Sequence, residues 1–242
     1  MSVKRKLARS LKKIVYGHKA DTETYIRYLR KIGVSVGDNI EIFSLRETVI
    51  DTTSPHLLTI GSNISMTGPV CILVHDYSVC VTKMLFDGYI TGKQRPTTID
   101  NNVFLGWGCC ILPGTHVHEN TIIGAYSVVS GDLEANSVYA GNPGIKVSTI
   151  EDYYKRRRKS QLDEASMIYR SYYNRYGRKP PEELFHEYFF LFSGGIDCQL
   201  NPAFEVKMSD HGNYNDSLTA WRNNVPQFES YEAFCKYMDI HK

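Results

Sequence analysis

A six-residue period constrains residues 32–148 more than any other feature of this 242-residue chain. Steps of six from Ile99 land on Ile99, Leu105, Ile111, Val117, Ile123 and Val129, all aliphatic. About a quarter of the chain is Ile, Leu, Val or Met, so six successive hits arise by chance roughly once in several thousand registers. A second column, four residues further on in each step, holds Val103, Cys109, Thr115, Thr121 and Ser127, each small or β-branched. The same phase recurs upstream as Ile60, Met66 and Ile72 with Ile64 and Val70, and weakly as Val36 and Ile42 with Ile40. Six residues are too few for a helix pair but suit one short strand and a corner, so three units close a triangular coil. Stacked coils set like residues above like, which requires one aliphatic column beside one small column. Gly61, Gly106 and Gly124 directly follow the aliphatic column, where the backbone must bend tightly or admit a close neighbour. The fold expected is a mainly β protein, a parallel β-helix spanning 32–148. The register breaks at 76–98, a stretch holding Lys83, Phe86, Tyr89, Lys93 and Arg95 that reads as a loop ejected from a corner. Long loops on a rigid scaffold tend to carry function.

The flanks differ in kind. Residues 1–31 place six Lys and Arg between Lys4 and Lys13 before the first acid at Asp21, with Leu7, Leu11, Ile14 and Val15 at helical spacing. This predicts a basic helical segment, either packed by its apolar stripe or in peripheral contact with an anionic membrane surface. Residues 149–242 read as a C-terminal helical extension. A capping box at Ser148-Thr149-Ile150-Glu151 opens a helix that stops at Gly177. Pro180-Pro181-Glu182-Glu183 starts a second helix that buries Leu184, Phe185, Tyr188, Phe189 and Phe192 and ends at Gly194-Gly195. Residues 196–226 read as irregular, and a last helix after Ser230 sets Tyr231, Phe234, Cys235 and Met238 on one face. This aromatic appendix is expected to pack on the coil stack or on a neighbouring subunit.

Charge and motifs exclude several classes. Lys+Arg 28 against Asp+Glu 26 is not the balance of a dedicated nucleic-acid binder. No apolar run approaches the ~18 residues of a spanning helix, and no signal-peptide core is visible, so a cytoplasmic location is expected. The six cysteines contain no C-x-x-C and read as reduced thiols. A Gly-x-Ser-x-Gly elbow and a Walker loop are both absent. His116-x-His118 sets two imidazoles on one side of a strand, a weak metal signal, and no metal is expected.

Residues 32–148 resemble the hexapeptide-repeat acyltransferases, specifically the coenzyme-A-dependent O-acetyltransferases of sugars and capsular polysaccharide units. The likeness rests on Ile60-Gly61-Ser62-Asn63, on Ile72-Leu73-Val74-His75-Asp76-Tyr77-Ser78 and on Asn102-Val103-Phe104-Leu105-Gly106. It continues through Ile111-Leu112-Pro113-Gly114, Ile123-Gly124-Ala125-Tyr126-Ser127-Val128-Val129 and the closing Ala140-Gly141-Asn142-Pro143. The resemblance implies a left-handed coil, against the usual right-handed crossover, and a homotrimer with active sites in clefts between stacks. It departs from the family pattern at Asp100, His118 and Gly131. At Gly131 the family commonly has a basic residue, and Lys146 or the run Lys155-Arg156-Arg157-Arg158-Lys159 is the possible substitute toward phosphate, the run reading equally as a solvated helix face.

Moving an acetyl group from a thioester to a hydroxyl needs a base, because an alcohol is a poor nucleophile at neutral pH, and histidine suits that task. By resemblance His75 is the general base, with Asp76 either orienting its ring or capping the turn. The family's oxyanion donor maps onto the amide of Trp107, with Gly106 permitting close approach; the indole walls the pocket or only packs. Gly124 and Ala125 match the corner that holds the pantetheine arm, and Ser130 matches a nearby polar contact. Tyr77, Lys83 and Tyr89 on the ejected loop are the acceptor-binding candidates. The function expected is acetyl transfer from acetyl-CoA to a hydroxyl of a sugar or polysaccharide precursor, directly in a ternary complex. N-acetylation of an amino sugar is the first alternative, and a zinc-dependent β-helix hydrolase or hydratase the more distant one.

Overall fold

An asparagine before each parallel strand of one sheet shows how the chain turns. Asn39, Asn63, Asn102, Asn120 and Asn136 all have φ between 55° and 58°, a left-handed conformation that Asn tolerates better than other side-chain-bearing residues. Their amides form a ladder along the corner: Asn39 donates to Asn63 at 2.8 Å, Asn102 to Asn120 at 2.8 Å, and Asn120 to Asn136 at 2.9 Å. The computed structural model describes residues 12, 14–209 and 212–240. They form two compact units that divide between Tyr153 and Tyr154.

In the first unit the chain visits three parallel sheets in strict rotation. Sheet A contains β1 (Ser35–Val36), β4 (Leu58–Ile60), β7 (Thr97–Ile99), β10 (His116–Val117) and β13 (Asp132–Leu133). Sheet B contains β2 (Ile40–Ile42), β5 (Ile64–Met66), β8 (Val103–Leu105), β11 (Thr121–Ile123) and β14 (Ser137–Ala140). Sheet C contains β3 (Val49–Ile50), β6 (Cys71–Ile72), β9 (Cys110–Ile111) and β12 (Val128–Val129). Register keeps each column vertical, with Ile72 beside Ile111 and Val129 beside Ile111. All six residues of the aliphatic column, Ile99 through Val129, are completely buried, and the small column from Val103 to Ser127 is no more than 2% exposed. Each buried aliphatic side chain contributes roughly 1.5–3 kcal/mol. The small residues fill the space that remains at the corners.

Both ends of the stack are covered. At the start, α1 (Thr22–Ile32) is capped by Asp21, which accepts from the Thr24 amide at 2.8 Å, and stops at Gly33 with φ 105°. Its Tyr25, Ile26 and Leu29 join the coil core. The expected basic stripe around Leu7 and Leu11 lies almost wholly outside the described residues; Ile14 and Val15 are exposed, so burial in this segment falls to α1 instead. At the far end, β15 (Ile145–Thr149) pairs antiparallel with β14 and closes sheet B. The loop at 76–98 does leave the coil, through a neck where Asp76 donates its amide to the Lys93 carbonyl and Arg95 to the Val74 carbonyl, both at 3.0 Å. It is not all loop, because α2 (Val79–Leu85) forms within it.

The second unit has its own core. It begins within α3 (Ile150–Tyr176), so the division falls inside the helix, later than 148. The cap is Thr149, whose hydroxyl accepts from the Asp152 amide at 3.1 Å, one residue beyond Ser148, and Gly177 ends the helix with φ 64°. The helix expected after Pro181 is instead two 3₁₀ turns, Glu182–Phe185 and Phe189–Leu191. That spacing buries Phe185, Phe189 and Phe192 but leaves Leu184 and Tyr188 half-buried. The stretch read as irregular contains α4 (Pro202–Ser209) and α5 (Tyr214–Arg222), while α6 (Tyr231–Ile240) starts after Ser230 as expected. Tyr169, Phe185, Phe204, Trp221 and Phe234 pack on one another in a core built within this unit. Ser193 accepts from the Trp221 indole at 3.2 Å, which gives the Ser193-Gly194-Gly195 turn a structural role.

Candidate active site

His75 sits where sheet C gives way to the ejected loop, one coil above an acid that motif reading passed over. The Oδ2 of Asp51 accepts from His75 Nδ1, from the Val74 amide at 2.9 Å and from the His75 amide at 3.1 Å. Its Oδ1 accepts from the amide and hydroxyl of Thr53 at 3.0 and 2.7 Å. Burial works to raise this carboxyl, but the amides of Thr53 and Val74, the Thr53 hydroxyl and His75 outweigh it and hold Asp51 at about 2. Asp51 is therefore an anion at any working pH, fixed by five donors. With Nδ1 committed to it, Nε2 is the ring nitrogen left to exchange a proton. The Thr53 hydroxyl lies 3.0 Å from Nδ1 as well, and Tyr77 meets the ring edge-on at 4.3 Å.

The orienting role left open for Asp76 thus belongs to Asp51. Asp76 caps the turn: it accepts from the Ser78 amide at 2.8 Å and pairs with Lys93 at 2.7 Å, and the Lys93 bond with the Ser78 donors holds it at about 2. The missed signal was register. Ile50 belongs to the same inward column as Ile72, so the residue after Ile50 lies beneath the rung that ends in His75.

Gly106, Trp107, Gly124 and Ala125 share another corner, between sheets B and C. A Cβ on Gly106 would lie 2.6 Å from the Ala125 nitrogen, so only glycine lets these corners stack. The indole of Trp107 lies over Gly68, where an added Cβ would come within 2.4 Å of it, and remains 48% exposed. Trp107 stands at the sheet B to C corner and His75 at the sheet C to A corner, so the two lie at opposite ends of sheet C. Ser130 follows β12 at the sheet C to A corner, on the His75 side and away from Gly124 and Ala125. Lys146 pairs with Glu134 at 2.6 Å across the β14–β15 end, so any phosphate there competes with that carboxylate. Tyr77 stands beside His75, whereas Lys83 on α2 and Tyr89 lie on the exposed loop, Tyr89 74% exposed.

No family model matches the chain. Over 125 residues, 52% of the chain, it is 34% identical to Protein CapG of Staphylococcus aureus, spanning 71% of that protein. The chain belongs to the hexapeptide-repeat acyltransferases. Among relatives of this family, galactoside O-acetyltransferase of Escherichia coli is 33% identical over 125 residues, 49% of the chain and 58% of that protein. Thus the chain spans little more than half of the galactoside enzyme. A hexapeptide-repeat acetyltransferase structure from Vibrio cholerae superposes with a TM-score of 0.43 at 16% identity, over 61% of this chain and 93% of that one. Among the described residues, no helix is long and apolar enough to cross a membrane.

Proposed function

We propose that this acyltransferase moves an acetyl group from acetyl-CoA to a hydroxyl of a sugar or polysaccharide precursor. The observation that carries the reading is the Asp51–His75 pair at the neck of an ejected loop. His75 Nε2 takes the hydroxyl proton as the oxygen attacks the thioester carbon. The tetrahedral intermediate's O⁻ is held by the Trp107 amide of a neighbouring chain, then the C–S bond breaks and the proton passes from His75 to the departing thiolate. Asp51, ionised and buried, stabilises the transient imidazolium. No acyl-enzyme is needed, so both substrates bind before transfer.

The assembly proposed is a left-handed coil in a homotrimer, working in the cytoplasm. Its support is the separation of the His75 corner from the Trp107 corner, which a neighbouring stack would bridge. Gly124 and Ala125 then seat the pantetheine arm, Ser130 adds a polar contact from its own corner, and Tyr77, Lys83 and Tyr89 face the acceptor. N-acetylation of an amino sugar would use the same base. The test is release of coenzyme A thiol across sugar, nucleotide-sugar, lipid-linked glycan and amino-sugar acceptors. Hydroxyl acceptors turning over supports the reading; turnover with amines alone overturns its O-acetyl part.

A further inference from the structure

Sheet A carries a second cluster of chemically active side chains that the transfer reaction does not use. Thr98, His116 and Asp132 lie side by side in register, and Asp100 and His118 follow two residues later on the same outward row. The two imidazoles stack at 3.8 Å. Asp100 Oδ2 lies 3.0 Å from His116 Nε2 and 3.4 Å from His118 Nδ1. On the other side Asp132 Oδ1 lies 2.9 Å from His118 Nε2 and 3.8 Å from His116 Nδ1.

Each ring has its Nε2 within hydrogen-bond distance of one carboxylate, His116 at 3.0 Å from Asp100 and His118 at 2.9 Å from Asp132. Asp100 Oδ2 also lies 3.4 Å from His118 Nδ1, so one carboxylate oxygen faces a nitrogen of each stacked ring. That convergence of two imidazole nitrogens and a carboxylate oxygen is a set of donors to one metal cation. Around a tetrahedral ion with bonds of about 2.0–2.1 Å, neighbouring donors stand roughly 3.3 Å apart, close to the 3.0 and 3.4 Å measured here, and all three donors lie within 4.8 Å of one another. Asp132 then accepts from the far nitrogen of His118 at 2.9 Å, the outer carboxylate that orients a metal-bound histidine.

We propose that Asp100, His116 and His118 bind a borderline divalent metal ion, with zinc the best fit, leaving one coordination position for water and using Asp132 as the outer support. Two imidazoles and a carboxylate are the donor set zinc accepts, whereas calcium and magnesium prefer oxygen alone. The three side chains are 35–39% exposed, so an ion reaches them from solution. Asp100 follows β7 and the histidines flank Val117 on β10, so the ion ties adjacent coils together, far along the chain from the Asp51–His75 pair.

The test uses the full-length chain without an affinity tag, dialysed against chelator and titrated calorimetrically with zinc chloride. One ion per chain at micromolar Kd or tighter is expected, with a rise in melting temperature on loading. Asp100→Asn and His118→Ala should each weaken binding at least ~10²-fold, and Asp132→Asn about tenfold. Cobalt(II) in place of zinc should give the visible absorption of a four-coordinate nitrogen–oxygen site. No binding up to 0.1 mM zinc, on the order of a hundred times the expected Kd, overturns the proposal. So does binding that is unchanged in Asp100→Asn and His118→Ala, since it places the ion elsewhere.

Discussion

Replacing Asp51 by Asn keeps the size of the side chain and removes its charge. The structure dictates how the amide must sit. At the Oδ2 position an NH₂ would face the Val74 and His75 amides and the imidazole, all donors, so the oxygen stays there and the NH₂ turns toward Thr53. The tautomer survives, since the amide oxygen still accepts from Nδ1–H. What disappears is the anion beside the imidazolium formed during transfer. Opposite unit charges ~4 Å apart attract by about 4 kcal/mol at an effective dielectric of 20, an upper value because the amide dipole retains part of it. At 1.36 kcal/mol per decade, kcat should fall about 10²–10³-fold. KM for acetyl-CoA should hardly move, because the proposed donor corner at Gly106 and Gly124 is separate. Two amides lose an anionic acceptor and Thr53 meets a donor, so stability should drop by about 1–3 kcal/mol; circular dichroism fixes the folded fraction before rates are compared. The assay is steady-state thiol release at saturating acetyl-CoA. A folded variant within tenfold of the parent refutes the assignment of Asp51 as the group that stabilises His75.

Gly106→Ala forces a methyl to within 2.6 Å of the Ala125 nitrogen, so the stack should lose about 1–3 kcal/mol by overpacking, read from the denaturant midpoint. Phe234→Ala empties a fully buried ring site in the second unit and should cost about 3–5 kcal/mol there, visible as a lower midpoint for near-ultraviolet aromatic signals. Acid sensitivity follows from Asp51: its folded pKa, about 2, lies below the ordinary carboxylate value. The stability it contributes is thus complete above roughly pH 4 and lost as pH falls toward 2. Unfolding free energy of the parent should decline over that window more steeply than that of Asp51→Asn; equal slopes would contradict the hydrogen-bonded carboxylate.

The coil was readable because its physics is periodic. One inward residue per rung produces a column, and every member from Ile99 to Val129 is buried. Partners between coils were harder, since Asp51 reaches His75 only across an irregular interval of 24 residues, lengthened by the 3₁₀ turn Pro55–Leu57 between β3 and β4. The asparagine ladder was visible in principle, as 102 and 120 differ by the 18 residues of three units, but insertions break the spacing at 39 and 63 and a two-residue shortening breaks it at 136. Composition hid the second unit for another reason. Leu184–Phe192 crowds apolar residues at 184, 185 and 188–192 without a helical period, while Pro202–Ser209 and Tyr214–Arg222 bury only Phe204, Met208 and Trp221, too few positions to mark a helical stripe. The His116 and His118 pair was legible, but their carboxylate neighbours come from the coils before and after and appear only once register is known.

The central claim is that His75, held by Asp51, is the base of an acetyl transfer from acetyl-CoA. Its most direct test is coenzyme A release by the purified His75→Ala variant with the best hydroxyl acceptor found for the parent. Turnover lower by at least ~10², with melting temperature and assembly state nearly unchanged, is the predicted result. A variant that folds alike and turns over at the parental rate would contradict it.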